Sequence, residues 1–254
     1  MGETAFTRLR PDGGGGFVIY CDHASNRIPE GLNRLGLKQA DLARHIAWDI
    51  GAGGVAAILS ELLDAPAVLC ATSRLVVDCN RHLDAHDLIP EISDGTTIPG
   101  NIGLSRLEKE ARIARWFIPY HLAVEEMVEA RLASGRASGR AVMALSIHSM
   151  TENLGGSARP WPVSISSYGD RRWAEPMIAA LRNMGEKNVG DNQPYALDPQ
   201  FDFSTPLHAM RRNLPYLQVE FRQDEVAGPS GREKWARRFA QALAEAAPNF
   251  FPAR

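Results

Sequence analysis

Three apolar runs of this chain each end on a residue able to hold a metal or move a proton. Phe17-Val18-Ile19-Tyr20-Cys21 gives way to Asp22-His23, and Ala141-Val142-Met143-Ala144-Leu145-Ser146-Ile147 to His148-Ser149. Pro215-Tyr216-Leu217-Gln218-Val219 gives way to Glu220-Phe221-Arg222. Short apolar runs bounded by polar turns read as buried strands. Open parallel α/β sheets gather their ligands at the carboxyl ends of the strands. Two His and one Glu at three such ends suit a catalytic metal centre, which takes three N or O ligands and keeps one position open. His23 and His148 supply two of those ligands, and Asp22, Asp49 and Glu220 are the candidates for a carboxylate third. Glu220 interrupts an apolar strand, where a carboxylate must be paired, protonated or metal-bound. Beside a metal centre it is better suited to be the general base of a hydrolysis than a ligand. The plain alternatives are imidazoles hydrogen-bonded in loops and a pairing of Glu220 with Arg211 or Arg222. Arg222 lies two residues along the strand and so shares its face.

A second set of residues suits an anion. Ser73-Arg74 and Asn80-Arg81 flank the run Leu75-Val76-Val77, read as another strand. A guanidinium grips a carboxylate with two parallel hydrogen bonds, and a neighbouring amide adds donors. Arg74, Asn80 and Arg81 therefore point to a small anionic substrate, although Arg74 has a competing partner in Asp78 on the same run.

Those residues need elements to position them. Helical spacing of apolar residues predicts a helix over 39–63, broken near the glycines at 51–54. On such a helix His45 and Asp49 share one face, and Asp49 can point back at the end of the first strand. Residues 66–70 and 163–166 read as strands, and 104–134 as one long helix kinked at Pro119. Further helices are predicted over 175–184, 204–212 and 231–246, with long polar loops at 82–104, 155–160 and 191–195. A structureless stretch as long as 82–104 is more often functional than idle. Strands alternating with helices, without repeats, predict a single three-layer α/β/α domain over 1–254 with a mostly parallel mixed sheet. Residues 1–16, ending in four glycines, read as a loose N-terminal segment.

Composition removes several classes. Of 254 residues 44% are hydrophobic, enough for a full core, and the net charge of −2 comes from mixed signs. That balance argues against a nucleic-acid binder, which would carry a basic patch. No apolar run approaches the roughly 20 residues of a membrane span, and the first residues hold no signal-peptide core. The three cysteines show no CxxC spacing. They fit small core residues of a reducing compartment rather than a disulfide frame or thiolate metal site, so a soluble cytoplasmic protein is expected. There is no GxSxG elbow for a serine hydrolase, and Gly13 to Gly16 form neither a P-loop nor a GxGxxG fingerprint.

Taken together, Cys21-Asp22-His23-Ala24-Ser25, His45-Ile46-Ala47-Trp48-Asp49-Ile50-Gly51, Ser73-Arg74, Val77-Asp78-Cys79-Asn80-Arg81 and Ser146-Ile147-His148-Ser149 closely resemble the N-formylglutamate amidohydrolase family. So do Gly190-Asp191-Asn192-Gln193-Pro194-Tyr195, Leu207-His208-Ala209 and Val219-Glu220-Phe221-Arg222-Gln223-Asp224, and the motif order holds from about residue 17 to 245. The resemblance implies a phosphorylase/hydrolase-like α/β/α fold, shared with zinc carboxypeptidases and cell-wall N-acetylmuramoyl-alanine amidases. It implies a Zn²⁺ ion, or another divalent metal, on His23, Asp49 and His148, with Glu220 as base. Strand alternation supports Asp49 over Asp22, because neighbours such as Asp22 and His23 face opposite ways. Asn80-Arg81 resembles the Asn-Arg pair with which carboxypeptidases grip a substrate carboxylate, with Arg74 as the partner of a second one. His208 is placed as a donor to the tetrahedral oxyanion, and Asn192 and Arg222 as substrate-binding residues. Gln193 stands where the family commonly has Glu, so the pocket around Asn192 departs from the pattern. The implied activity is hydrolysis of N-formyl-L-glutamate to formate and L-glutamate, and with it a place in histidine degradation. The neighbouring alternatives are another N-acyl amino acid or a short peptide. A rival of a different class is a metal-free protein that binds acidic amino acids through the same arginines. Bound metal, and activity restored by adding it, separate the two.

Overall fold

The computed structural model describes residues 4–139 and 141–250. Seven strands make one mixed sheet: β1 (Phe6–Leu9), β2 (Phe17–Cys21), β3 (Ala67–Cys70), β4 (Met143–Met150), β5 (Val163–Ser166), β6 (Val189–Asp191) and β7 (Tyr216–Arg222). Their order is β1-β3-β2-β4-β7-β5-β6. The four middle strands run parallel; β1 is antiparallel to β3, and β5 is antiparallel to β7. Every residue of β4 is buried, as expected of a central strand covered on both faces.

One face packs on α1 (Ala52–Leu62), α3 (Ala174–Asn183) and α4 (Pro229–Phe250), and its core includes Leu59, Ile147, Val219, Phe221 and Trp235. The other packs on α2 (Ile118–Ser138), around Tyr20, Leu75, Tyr120 and Val124. The result is the expected single α/β/α domain. Ahead of α2 a short helix, Arg106–Arg112, begins at a Ser105–Glu108 capping box and passes into a π turn, Ile113–Phe117. That wider turn comes just before Pro119, whose missing N–H and bulky ring an ordinary helical turn cannot absorb.

Four local readings are corrected. Residues 39–63 break near Gly51 as expected, but the part before the break is not a continuous helix: Gln39–Leu42 is a single turn, and regular helix resumes only at Ala52. Gly51 is the cause. Its φ is +84°, and a Cβ there would lie 2.2 Å from the Val226 carbonyl oxygen, so the chain turns sharply before α1. His45 and Asp49 therefore sit in turns and share no helical face. Leu75-Val76-Val77 is a buried turn, not a strand. Ser73 closes it through its hydroxyl and carbonyl, while Asn101 donates to the Leu75 carbonyl and Arg112 to that of Val76. An apolar triplet is thus buried without a ladder because side chains satisfy its backbone. Residues 4–16 are not loose. β1 pairs with β3, and the Gly14 and Gly15 amides bond to Asp64, with Gly15 so close that a Cβ would meet the Leu63 carbonyl oxygen at 2.0 Å. The first three residues of that segment lie outside the described residues. Finally, β6 closes the sheet where no strand was expected, with its last residue, Asp191, at the start of the expected polar loop.

Among the described residues no helix is long and apolar enough to cross a membrane. The three cysteines are buried free thiols.

Candidate metal centre and active site

His23 lies two residues past the end of β2, and His148 lies on β4, the neighbouring parallel strand. Asp49 reaches the same place from the turn ahead of α1. Its backbone N–H donates to the His23 carbonyl at 3.0 Å, and Ser149 fastens the adjoining Ile50 carbonyl at 2.9 Å. One Asp49 oxygen, Oδ2, faces His23 Nδ1 at 3.3 Å and His148 Nδ1 at 2.9 Å. The other nitrogen of each ring is held from behind. His23 Nε2 meets Asp78 Oδ1 at 2.7 Å, and His148 Nε2 has Ser146 Oγ at 3.1 Å and Asp22 Oδ2 at 3.4 Å. A carboxylate behind a ligating imidazole fixes its tautomer and raises its basicity. Asp49 therefore faces the centre, while Asp22 stands behind it, with its other oxygen accepting from Tyr120 and Ser204.

The donor set fits a divalent cation. His23, Asp49 and His148 are all buried, and their potential ligand atoms all lie within 4.8 Å of one another. The electrostatics agree. Burial alone would raise the Asp49 carboxyl, but the two imidazoles hold it well below the usual carboxylate range. Burial likewise opposes charge on His148, yet Asp22 and Asp49 lift its pKa well above the ordinary value. Surroundings that favour a proton there also favour a cation, and metal binding would release the proton.

Glu220 sits directly across the ladder from His148. Parallel partners point to the same face, so the carboxylate and the imidazole share one side of the sheet. Tyr195 donates to Glu220 Oε1 at 3.3 Å, and Oε2 is buried with no hydrogen-bond partner. Burial pushes the carboxyl up to about 7, against the pull of the His148 imidazole and with help from Asp49 and Asp202.

The family model for N-formylglutamate amidohydrolase matches residues 15–227. The chain belongs to the N-formylglutamate amidohydrolase family. A solved gene product of Agrobacterium tumefaciens is similar at 31% identity, with a TM-score of 0.90 over 98% of this chain and 96% of that one. The N-formylglutamate amidohydrolase of Ralstonia eutropha superimposes with a TM-score of 0.67 at 19% identity, over 96% of this chain and 98% of its own, a likeness of fold. No curated protein matches the chain.

With the family settled, the other expected site residues can be placed. A cavity of about 680 Å³ is lined by His23, Asp49, His148, Glu220, Arg74, Asn80 and Arg81. Arg74 is committed inside it: Nε and a terminal nitrogen grip Asp78 at 2.9 and 2.6 Å, and Asp49 is 3.6 Å away. The pairing with Asp78 that competed with substrate binding is thus formed. Asn80 is committed as well, donating to Asp202 and accepting from the Phe203 and Ser204 amides. Arg81 holds Asp87 at 2.8 Å. Three expected residues do not line the cavity. Asn192 braces the Ser167 amide, Arg222 pairs with Asp224, and His208 is buried against His121. Asp78, Tyr195 and Arg159 were not assigned to the site from sequence. Their roles come from contacts with residues 55, 25 and 36 positions away, respectively, which no local motif spells out.

The His121–His208 pair has a different part to play. His121 Nε2 faces the Cys79 carbonyl at 2.9 Å, which can only accept, so that nitrogen carries the hydrogen. Neutral His121 must then accept at Nδ1 from His208 Nε2, also at 2.9 Å, which leaves His208 Nδ1 a buried lone pair without a partner. Burial pushes His121 down to about 4 and His208 to about 3, with His121 lowering His208 further. Unfolded imidazoles take up protons near 6.5. Between pH 6.5 and 4 the unfolded chain therefore binds more protons than the folded one, and these rings make stability fall as pH falls. The slope is about 1.4 kcal/mol per pH unit for each ring that must charge. Denaturant unfolding of wild type and His121→Phe/His208→Leu at several pH values in this window should show that difference in slope. Parallel curves would mean the rings already carry a proton in the fold.

Proposed function

We propose that the chain hydrolyses the amide bond of a small N-acyl acidic amino acid, N-formyl-L-glutamate above all, with Zn²⁺ on His23, Asp49 and His148. The observation that carries this is the unpartnered Glu220 oxygen beside the triad, on a carboxyl poised near neutrality. When bound, the ion supplies Lewis-acid polarisation and a lowered water pKa. The rest falls to the chain. Glu220 takes a proton from the attacking water as the C–O bond forms, and a base near pH 7 is well matched to that task. It returns the proton to the amide nitrogen as the C–N bond breaks, giving formate and L-glutamate. Tyr195 holds Glu220 Oε1 in place. Asp78 and Asp22 keep the His23 and His148 rings turned toward Asp49. Arg81, on the cavity wall, is assigned to the α-carboxylate.

One observation favours a second reading, an amidase for a larger N-acyl amino acid or a short peptide. The cavity is in the size range of sites for drug-sized ligands, and Leu154, Tyr168 and Phe201 line it while still exposed. Amine release by the protein loaded with Zn²⁺, Co²⁺ or Mn²⁺ should be measured on N-formyl-, N-acetyl- and N-benzoyl-L-glutamate and on a γ-linked glutamate dipeptide. N-formylglutamate is expected to give the highest kcat/KM. A higher value for the benzoyl compound or the dipeptide would move the assignment to the second reading. Silence on all four would sink both and favour a binding protein.

A further inference from the structure

A substrate with two carboxylates needs two positive partners, because a desolvated carboxylate left unpaired is costly. The cavity offers three guanidinium groups. Arg74 is neutralised by Asp78 and lies near Asp49. Arg81 is paired with Asp87 at the rim. Arg159 differs from both: among the described residues no carboxylate lies within salt-bridge distance of it. One terminal nitrogen reaches the Thr151 carbonyl at 3.5 Å, a contact that brings no countercharge.

Arg159 is also well aimed. It directly follows a small hairpin, Asn153–Leu154 with Ser157–Ala158, and its backbone N–H is fastened to the Glu152 carbonyl at 2.9 Å. Its guanidinium carbon lies 5.8 Å from the centroid of the Tyr195 ring, a cation–π arrangement. The hydroxyl of the same ring bonds to Glu220. One aromatic side chain thus separates the unpaired guanidinium from the base, and both line the cavity. A planar fork held there suits bidentate capture of a carboxylate.

We propose that Arg159 binds the side-chain carboxylate of the substrate and is the specificity-determining residue for acidic N-acyl amino acids. This takes the role that sequence reasoning gave to Arg74, and it rests on the acidic-substrate reading of the site. It makes the hairpin part of the substrate pocket. An approaching anion would find in Arg159 a charge that no protein group has to release.

The test compares N-formylglutamate with N-formylglutamine, its neutral isostere, using metal-loaded wild type, Arg159→Ala and Arg159→Lys. Arg159→Ala should raise KM for N-formylglutamate by about 30-fold or more, with a much smaller effect on kcat. On N-formylglutamine its loss should be under about threefold, since that substrate has no side-chain charge to forfeit. Arg159→Lys should recover part of the KM for the charged substrate only. Equal losses on both substrates, or no change in KM for N-formylglutamate, would overturn the proposal while leaving the hydrolase reading in place. Absence of turnover of both substrates by the wild type would overturn that reading and this proposal together.

Discussion

Glu220→Gln should retain its metal and lose about 10²–10⁴-fold in kcat, the usual contribution of a positioned general base. The amide is isosteric but cannot take the proton. Glu220 is 4% exposed, and the protein contact described for its carboxylate is Tyr195, a donor that either a carboxylate or an amide oxygen can satisfy. The substitution therefore leaves the fold undisturbed. His148→Ala should behave differently, losing bound metal and activity together, because its Nδ1 faces the oxygen it shares with His23. Metal content by elemental analysis, beside amine release on the same preparations, separates the two roles. Loss of metal from Glu220→Gln would make Glu220 a ligand and leave the reaction without its assigned base.

The second large effect is expected at Asp78. One oxygen anchors His23 Nε2 and also accepts from the Asn80 amide, while the other takes both hydrogen bonds from Arg74. Burial opposes its charge, but Arg74 and His23 hold the carboxyl well below the usual range. Asp78→Ala frees the His23 ring to turn, and loss of such an outer partner typically weakens metal binding by about 10–100-fold. It also strands the Arg74 charge. Breaking a buried pair costs about 3–5 kcal/mol, and the lower end applies because Arg74 keeps some solvent and Asp49 within reach. Metal affinity by competition with a chelator, and stability by urea unfolding, measure the two losses separately. Asp87→Ala, which breaks the more exposed pair with Arg81, should leave the metal in place. Wild-type metal affinity in Asp78→Ala would confine Asp78 to a structural role.

What could be read in the sequence follows the range of the physics involved. The three strand ends were legible because a buried parallel strand writes a continuous apolar run, and a polar residue closing it stands out. The closing helix was legible from its period. Leu75-Val76-Val77 misled because burial and strand pairing are separate events, and here Asn101 and Arg112 do the pairing. The break at Gly51 was legible, but its tight approach to Val226, 175 residues away, was not, nor was the loss of helix through His45 and Asp49 ahead of it. β1 and β6 are edge strands of four and three residues, too short for a periodic signal. The placement of Asp49 over Asp22 leaned on strand alternation and family resemblance, whereas in the fold it follows from which oxygen lies between two Nδ1 atoms. His208 carried a plausible motif and went elsewhere. A motif names a neighbourhood in the chain, and in this fold His208 of that segment faces His121 and does not line the cavity.

The pairing of Glu220 with His148 across two parallel strands works as a fixed ruler. Their separation is set by backbone hydrogen bonds running from Tyr216–Ala144 to Arg222–Met150, and a slip of one residue would turn Glu220 to the opposite face. The hairpin that carries Arg159 belongs to no part of that ladder. It can lengthen, shorten or change its cation without altering the spacing of base and imidazole. With Glu220 as base and Arg159 as specificity residue, as proposed, the reaction and the choice of substrate are carried by different parts of the chain, one rigid and intolerant of insertion, the other free to be exchanged. An engineer who wished to redirect this hydrolase would leave the strands alone and rebuild residues 151–160.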